Sequence, residues 1–180
     1  VAVEQEVQLV EAGDEQRDEG AERRGSFAVK NGVEVAEVAV DRVSGAIRVT
    51  RFVIAHDCGF PLNPPAVDTQ VVGGAYHPGV GAALYCEFKM DKGLTLNPNL
   101  VDYKLPRAYE APMTKVIHVI TNDPFGPFGA KEASEGSTCT APPAVINAIH
   151  DATGIWIKDL PAKPEKVFWA LKEKREKEAK

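Results

Sequence analysis

Two runs of β-branched and aromatic residues mark the first half of the chain: Val33, Val35, Val38 and Val40, then Ile47, Val49, Phe52 and Ile54. Their near-alternation, interrupted by Asp41-Arg42-Val43-Ser44-Gly45, predicts an antiparallel hairpin. The chain then turns through His56-Asp57-Cys58-Gly59 and Pro61-Leu62-Asn63-Pro64-Pro65. Asn63 is suited to cap a helix whose first turn tolerates both prolines, so a helix is predicted from Pro64 toward Phe88. Pro78 falls inside that window without an amide hydrogen and predicts a kink or split near Tyr76, with Gly79 and Gly81 permitting tight packing beyond it. Strand-like pieces follow over residues 87–90 and 114–121, the second with Val116, His118 and Ile120 on one side. Thr140, ahead of Ala141-Pro142-Pro143, predicts the start of a helix that carries Val145, Ile146, Ala148, Ile149 and Ala152 at helical spacing and stops at Gly154. Ile155-Trp156-Ile157 reads as a short strand, and Pro164 opens a last helix through Val167, Phe168 and Leu171.

The two ends read differently. Residues 1–30 alternate only at Val1-Ala2-Val3 and Val7-Gln8-Leu9-Val10 and otherwise form an acidic segment. The eight acids Glu4, Glu6, Glu11, Asp14, Glu15, Asp18, Glu19 and Glu22 outweigh Arg17, Arg23 and Arg24, which accounts for the whole net charge of -5. Residues 172–180 form a charged tail in which Glu173 and Lys177 stand at the favourable i,i+4 spacing. Between them, residues 31–171 are long enough for one core. Composition is 44% hydrophobic and 26% charged. No apolar run reaches the roughly 20 residues of a membrane span. No basic cluster interleaved with aromatics points to nucleic acid. Cys58, Cys86 and Cys139 are widely spaced and form no Cys-x-x-Cys, so neither a zinc site nor an iron–sulfur cluster is built from them alone. With no charged start and apolar h-region ahead, the expected compartment is the cytoplasm.

Candidate chemistry concentrates in Gly126-Pro127-Phe128-Gly129-Ala130-Lys131-Glu132-Ala133-Ser134-Glu135-Gly136-Ser137. Small residues here permit close approach of backbone to a ligand, and two carboxylates lie directly ahead of a helix, which suits a bound cofactor with an acid–base group beside it. Glu135 is the leading candidate. Taken alone, Glu135 reads by default as a helix-capping or surface carboxylate and Glu132 as a loop acid satisfied by backbone amides, while Gln70 reads equally as a solvated mid-helix amide. His56, His77, His118 and His150 are not spaced as a ligand pair. His56-Asp57 reads as a structural turn at a strand end.

An ordered series of motifs resembles the molybdenum hydroxylase family, the xanthine dehydrogenase and aldehyde oxidase group, in the C-terminal part of its molybdopterin-binding large subunit. It runs from residues 36–41 and His56-Asp57-Cys58-Gly59 through Leu62-Asn63-Pro64, Gln70-Val71-Val72-Gly73-Gly74 and residues 79–85. Asn97-Pro98, Asp102-Tyr103-Lys104-Leu105-Pro106, residues 129–135 and Leu160-Pro161 with Pro164-Glu165-Lys166-Val167 complete it. Its flavour is nearest to the bacterial 4-hydroxybenzoyl-CoA reductase-like enzymes. The resemblance implies an α+β domain of the molybdopterin-binding type, an antiparallel hairpin plus mixed strands packed with three main helices. It implies that Glu135 is the catalytic base at a molybdenum centre, that Gln70 binds the pterin, and that Gly129, Ala130, Lys131, Glu132, Ala133 and Ser134 lie against the cofactor.

The same resemblance implies a molybdenum–molybdopterin cofactor, in its cytosine dinucleotide form, shared with a larger molybdopterin-binding subunit. Iron–sulfur clusters and FAD are expected on other subunits. The substrate is expected to be an aromatic or N-heteroaromatic compound or its CoA ester, oxidised or reductively dehydroxylated. Ser134 replaces a glycine usual before the glutamate, Pro78 stands where a glutamine is common, and Cys86 where an acid is frequent. The family's large subunit is several times longer, so the chain reads as either a split subunit or a fragment, active only with partner chains. The alternative is a non-catalytic assembly subunit.

Overall fold

The structure, a computed structural model, describes residues 31–179; the strand and acidic segment expected within residues 1–30 lie outside them. The hairpin forms as the β-branched pattern requires. Strand β1 (Asn31–Val40) pairs antiparallel with β2 (Ile47–Asp57), and a bulge at Glu37/Val38 keeps the inward set in phase. Asp41 closes the turn: its carboxylate accepts the Val43 amide at 2.8 Å and the Ser44 hydroxyl at 2.7 Å. The inward face carries Ala36, Val38 and Val40 from β1 and Val49, Phe52 and Ile54 from β2. Glu34 also falls on that face, opposite Ile54, and is buried.

Strand β5 (Met113–His118) joins β2 in parallel, giving the order β1-β2-β5. The sequence-based strand at 114–121 is therefore displaced: it begins one residue earlier and ends at His118, with Ile120 exposed. The strand expected at 87–90 is instead a two-residue piece, β3 (Met90–Asp91), paired with β4 (Leu94–Thr95).

The long helix is split as Pro78 dictates. α1 (Pro64–Gly74) starts with Asn63 Oδ1 accepting the Ala66 amide at 3.3 Å. It widens into a π turn over Ala75–Val80 and resumes as α2 (Gly81–Leu84). Pro78 cannot donate to the Gly74 carbonyl four residues back. The Thr138 hydroxyl donates to that carbonyl instead, at 3.4 Å. A short helix α3 (Leu100–Tyr103) is capped by Asn99.

Helix α4 (Gly136–Thr153) corrects the expected start at Thr140. The preference of proline for the first helical position puts the boundary there, but Pro142 and Pro143 lie inside the helix, which begins six residues before Pro142 at Gly136. Its end matches the sequence reading: Gly154, in the left-handed region at φ 70°, terminates it. Ile155-Trp156-Ile157 is not a strand; Ile155 and Ile157 bury into the core from an irregular segment while Trp156 stacks outside on His150 at 3.9 Å. α4 lies between the sheet and the α1–π–α2 rod, with Ala141, Val145 and Ile149 fully buried. α5 (Pro164–Glu178) adds Val167 and Leu171 to the same core. The charged run after Leu171 continues this helix, with Lys177–Glu173 paired at 2.7 Å. The architecture is α+β: a hairpin and mixed strands packed with three main helices. No helix of the described residues is long and apolar enough to cross a membrane.

Candidate functional site

An open cleft of about 660 Å³ lies where α1 meets the start of α4, lined by Thr69, Gln70, Gly73, Gly74, Pro78, Ser134, Glu135, Thr138 and Cys139. One wall is a single helix face, since residues 70, 73 and 74 stand at i, i+3 and i+4. The other wall is the last loop residues and the first turn of α4. The early start of α4 builds this wall: with helix from Gly136, Glu135 and Cys139 share one side at i,i+4 spacing.

Three of the candidate residues meet here. The Ser134 hydroxyl donates to Gln70 Oε1 at 3.1 Å across the cleft. That contact occupies the amide oxygen and leaves the two Nε2 hydrogens of Gln70 as the donors available to a ligand. The Glu135 carboxylate makes no hydrogen bond or ion pair among the described residues and stands at the mouth of the cleft. Gly73 has open space where a side chain would begin, whereas at Gly74 an added Cβ would lie 2.6 Å from Ser137 Oγ and 2.8 Å from the Ser134 carbonyl. Gly74 thus lets α1 approach the loop closely enough for the Gln70–Ser134 bond.

The remaining candidates, Gly129, Ala130, Lys131, Glu132 and Ala133, do not line the cleft. Glu132 turns back on the chain, where its Oε1 accepts the amides of Ser134 and of Glu135, the latter at 2.6 Å. It satisfies donors at the start of α4, as a capping carboxylate does. Lys131 points into the protein and meets Asp57 Oδ2 at 2.6 Å, both side chains only 6% exposed. The backbone from Gly129 to Lys131 is also committed: Gly129 and Ala130 amides donate to Gly126 and Pro127 carbonyls at 3.1 Å, and the Lys131 amide to Cys58 at 2.7 Å. The Gly129 carbonyl in turn accepts the Phe60 amide at 2.7 Å and the Asp123 amide at 3.0 Å.

Asp57 is the hub beneath the loop. Its Oδ1 accepts the Gly59 amide at 2.8 Å and the Thr121 hydroxyl at 2.6 Å, while Oδ2 faces Lys131. Burial pushes its carboxyl pKa up, but the Lys131 ammonium, Thr121 and Gly59 together outweigh burial and hold it below the usual carboxylate range. Asp68 ties α1 to β5 through His118 Nε2 at 2.8 Å.

Against known families, residues 1–112 match the model of the molybdopterin cofactor-binding domain. The chain belongs to this family. It is 37% identical over 147 residues to the "Probable hypoxanthine oxidase XdhD" of Escherichia coli, an alignment covering 81% of this chain and 15% of that protein. Among solved structures, the aldehyde oxidoreductase of Desulfovibrio gigas superposes with a TM-score of 0.74 at 37% identity, over 80% of this chain and 16% of that one. Quinoline 2-oxidoreductase of Pseudomonas putida 86 gives 0.73 at 31% identity, over 81% and 19%. The chain therefore spans less than a fifth of the length of the relatives it matches.

The cleft fits one wall of such a cofactor site. It offers amide donors from Gln70, a carboxylate from Glu135 and a glycine floor at residue 73 that a planar heterocycle can approach, while the Thr69 and Thr138 hydroxyls already donate to the Pro65 and Gly74 carbonyls. Thr69, Gly73, Gly74, Pro78, Thr138 and Cys139 line the cleft without being singled out as site residues from the sequence. The i, i+3, i+4 spacing from Gln70 is a readable signal for the glycines; the α4 residues are hidden by the misplaced helix start.

Proposed function

We propose that this chain supplies the active-site carboxylate, Glu135, of a molybdenum-dependent hydroxylase or dehydrogenase completed by partner polypeptides. The supporting observation is that Gln70 and Glu135 share one cleft, with Ser134 bonded to Gln70, and that among the described residues the Glu135 carboxylate makes no hydrogen bond or ion pair. When bound, the molybdenum–molybdopterin group, in its cytosine dinucleotide form, supplies the two-electron redox chemistry. Gln70 holds the heterocycle through its Nε2 donors, Ser134 fixes that amide by occupying Oε1, and Glu135 takes a proton on its carboxylate at the reacting centre.

The substrate class is an aromatic or N-heteroaromatic compound or its CoA ester, in line with relatives named for hypoxanthine and quinoline. A larger molybdopterin-binding polypeptide closes the open side of the cleft. Its seat is the exposed apolar set made by Phe60 and Leu62 ahead of α1 and Phe125 and Phe128 in the loop ahead of α4, Phe128 being 85% exposed. Iron–sulfur and flavin subunits carry the electrons away in the cytoplasm. In this reading residues 31–171 are the molybdopterin-binding unit, flanked by the acidic segment 1–30 and the charged end 172–180.

The test is Glu135→Gln in the purified complex. Turnover is expected to fall by at least about a thousandfold, the scale on which a positioned base and its electrostatic role act together. Molybdenum and pterin content should stay at the unmodified level. Full turnover in that variant removes Glu135 from the mechanism.

A further inference from the structure

We infer that the buried Asp57–Lys131 ion pair is a positioning device for Glu135, so that Lys131 serves the site from behind the loop and does not touch the cofactor. This rests on the reading of Glu135 as the working carboxylate. The geometry forms a short relay. Asp57, at the end of β2, holds the post-β5 segment through Thr121 and the loop through Lys131. With Lys131 committed inward, its neighbour Glu132 is left on the outer side of the loop, where its carboxylate takes the amides of Ser134 and Glu135. Those two amides fix the backbone from which Ser134 reaches Gln70 and Glu135 enters the cleft.

Two features separate this arrangement from ordinary loop packing. The loop backbone is already tied to residues 58–60 by the Lys131-to-Cys58 bond and the Phe60-to-Gly129 bond, so chain continuity alone does not require a charge at residue 131. A buried ion pair is also a poor source of net stability, because desolvation of both charges offsets their attraction. Its directional contacts nonetheless fix side-chain rotation at one point: with Oδ1 occupied by Gly59 and Thr121, the Asp57 carboxylate receives the Lys131 ammonium at Oδ2. Rotating residue 131 outward would swing Glu132 away from the α4 start and release both amides.

The experiment uses the intact complex with three variants, Lys131→Met, the double variant Asp57→Asn/Lys131→Met, and Glu135→Gln. In the double variant the amide oxygen introduced at position 57 still accepts from Gly59 and Thr121, and no lone charge is buried, so it separates folding from positioning. Hydrogen–deuterium exchange is read on the peptide covering residues 132–136, alongside kcat, KM and the thermal midpoint. Lys131→Met is expected to speed exchange at Ser134 and Glu135 at least tenfold, with kcat lowered about 30- to 100-fold and KM within about threefold. The double variant is expected to regain the thermal midpoint but to keep the fast exchange and the low kcat.

Unchanged exchange at Ser134 and Glu135 in Lys131→Met overturns the inference. So does recovery of exchange and kcat together with the midpoint in the double variant, which would make the pair a matter of stability only. Failure of the underlying reading shows elsewhere, as full activity in Glu135→Gln, and the exchange result still decides whether the pair holds the loop.

Discussion

Two adjacent glycines, Gly73 and Gly74, give the sharpest mutational contrast in the fold. Both lie at the end of α1, where replacing glycine by alanine removes backbone freedom from the unfolded chain and favours the helix by about 0.5–1 kcal/mol. At Gly73 the new methyl meets nothing within 4 Å, so that gain should appear undiminished. At Gly74 it would lie 2.6 Å from Ser137 Oγ, 2.8 Å from the Ser134 carbonyl and 3.2 Å from Thr138 Oγ1. The serine hydroxyl can rotate, but the Ser134 carbonyl moves only if the start of α4 moves. Overpacking of this kind costs about 1–3 kcal/mol, which exceeds the helical gain. The neighbouring variants should therefore differ by about 2 kcal/mol, with opposite signs relative to the parent. Urea unfolding followed by the fluorescence of Trp156 and Trp169 would separate their midpoints by about 1 M at an m-value near 2 kcal/mol/M. Gly74→Ala should also lose the Gln70–Ser134 contact, because α1 must withdraw. A Gly74→Ala midpoint at or above the parent, or an equal fall for Gly73→Ala, would refute the close-approach argument.

Three other outcomes follow from buried or exposed groups. Asp57 has a folded-state pKa below its unfolded value, so its contribution to stability is fully present above the unfolded pKa of about 3.9 and is lost as pH falls through the lower folded value. Stability measured by urea midpoint from pH 6 downward should drop through that window, and Asp57→Asn should flatten the drop. Cys139 is exposed in the cleft while Cys58 and Cys86 are buried, and burial pushes the Cys86 thiol pKa up. N-ethylmaleimide should therefore label Cys139 alone in the native chain, read by mass spectrometry, and cofactor in the cleft should protect it. Ile149, fully buried between the helical rod and the sheet, should cost about 2–5 kcal/mol when cut to alanine, measured as a loss of unfolding free energy.

What could be read from the sequence was local. The hairpin followed from β-branched alternation, the capped start of α1 from Asn63 ahead of two prolines, the break in the long helix from Pro78, and the end of α4 from Gly154, whereas the π form of that break was not legible. Misreadings arose where tertiary contacts overrule local preference. A pair of prolines looked like a helix start because Pro suits N1, yet the turn before them is held by packing of Ser137 and Ala141 against the rod. Ile155 and Ile157 alternate like a strand but face the core with no neighbouring strand among the described residues to pair with.

Glu34 sits among inward valines, a position no hydrophobic pattern would assign to an acid. The parallel pairing of β5 with β2 joins segments on either side of the whole α1–π–α2 rod, and no short-range signal encodes it. In the cleft, Gln70, Ser134 and Glu135 came from the motif series and meet in space. The inward turn of Lys131 was invisible, since its partner Asp57 lies 74 positions away.

The most direct test of the account is a structure of the assembled complex with its cofactor in place. The Glu135 carboxylate is expected to be directed at the molybdenum centre and Gln70 Nε2 to lie within hydrogen-bond reach of the pterin, with a second polypeptide closing the opposite wall. A pterin seated on another surface, with Glu135 facing solvent, would contradict it.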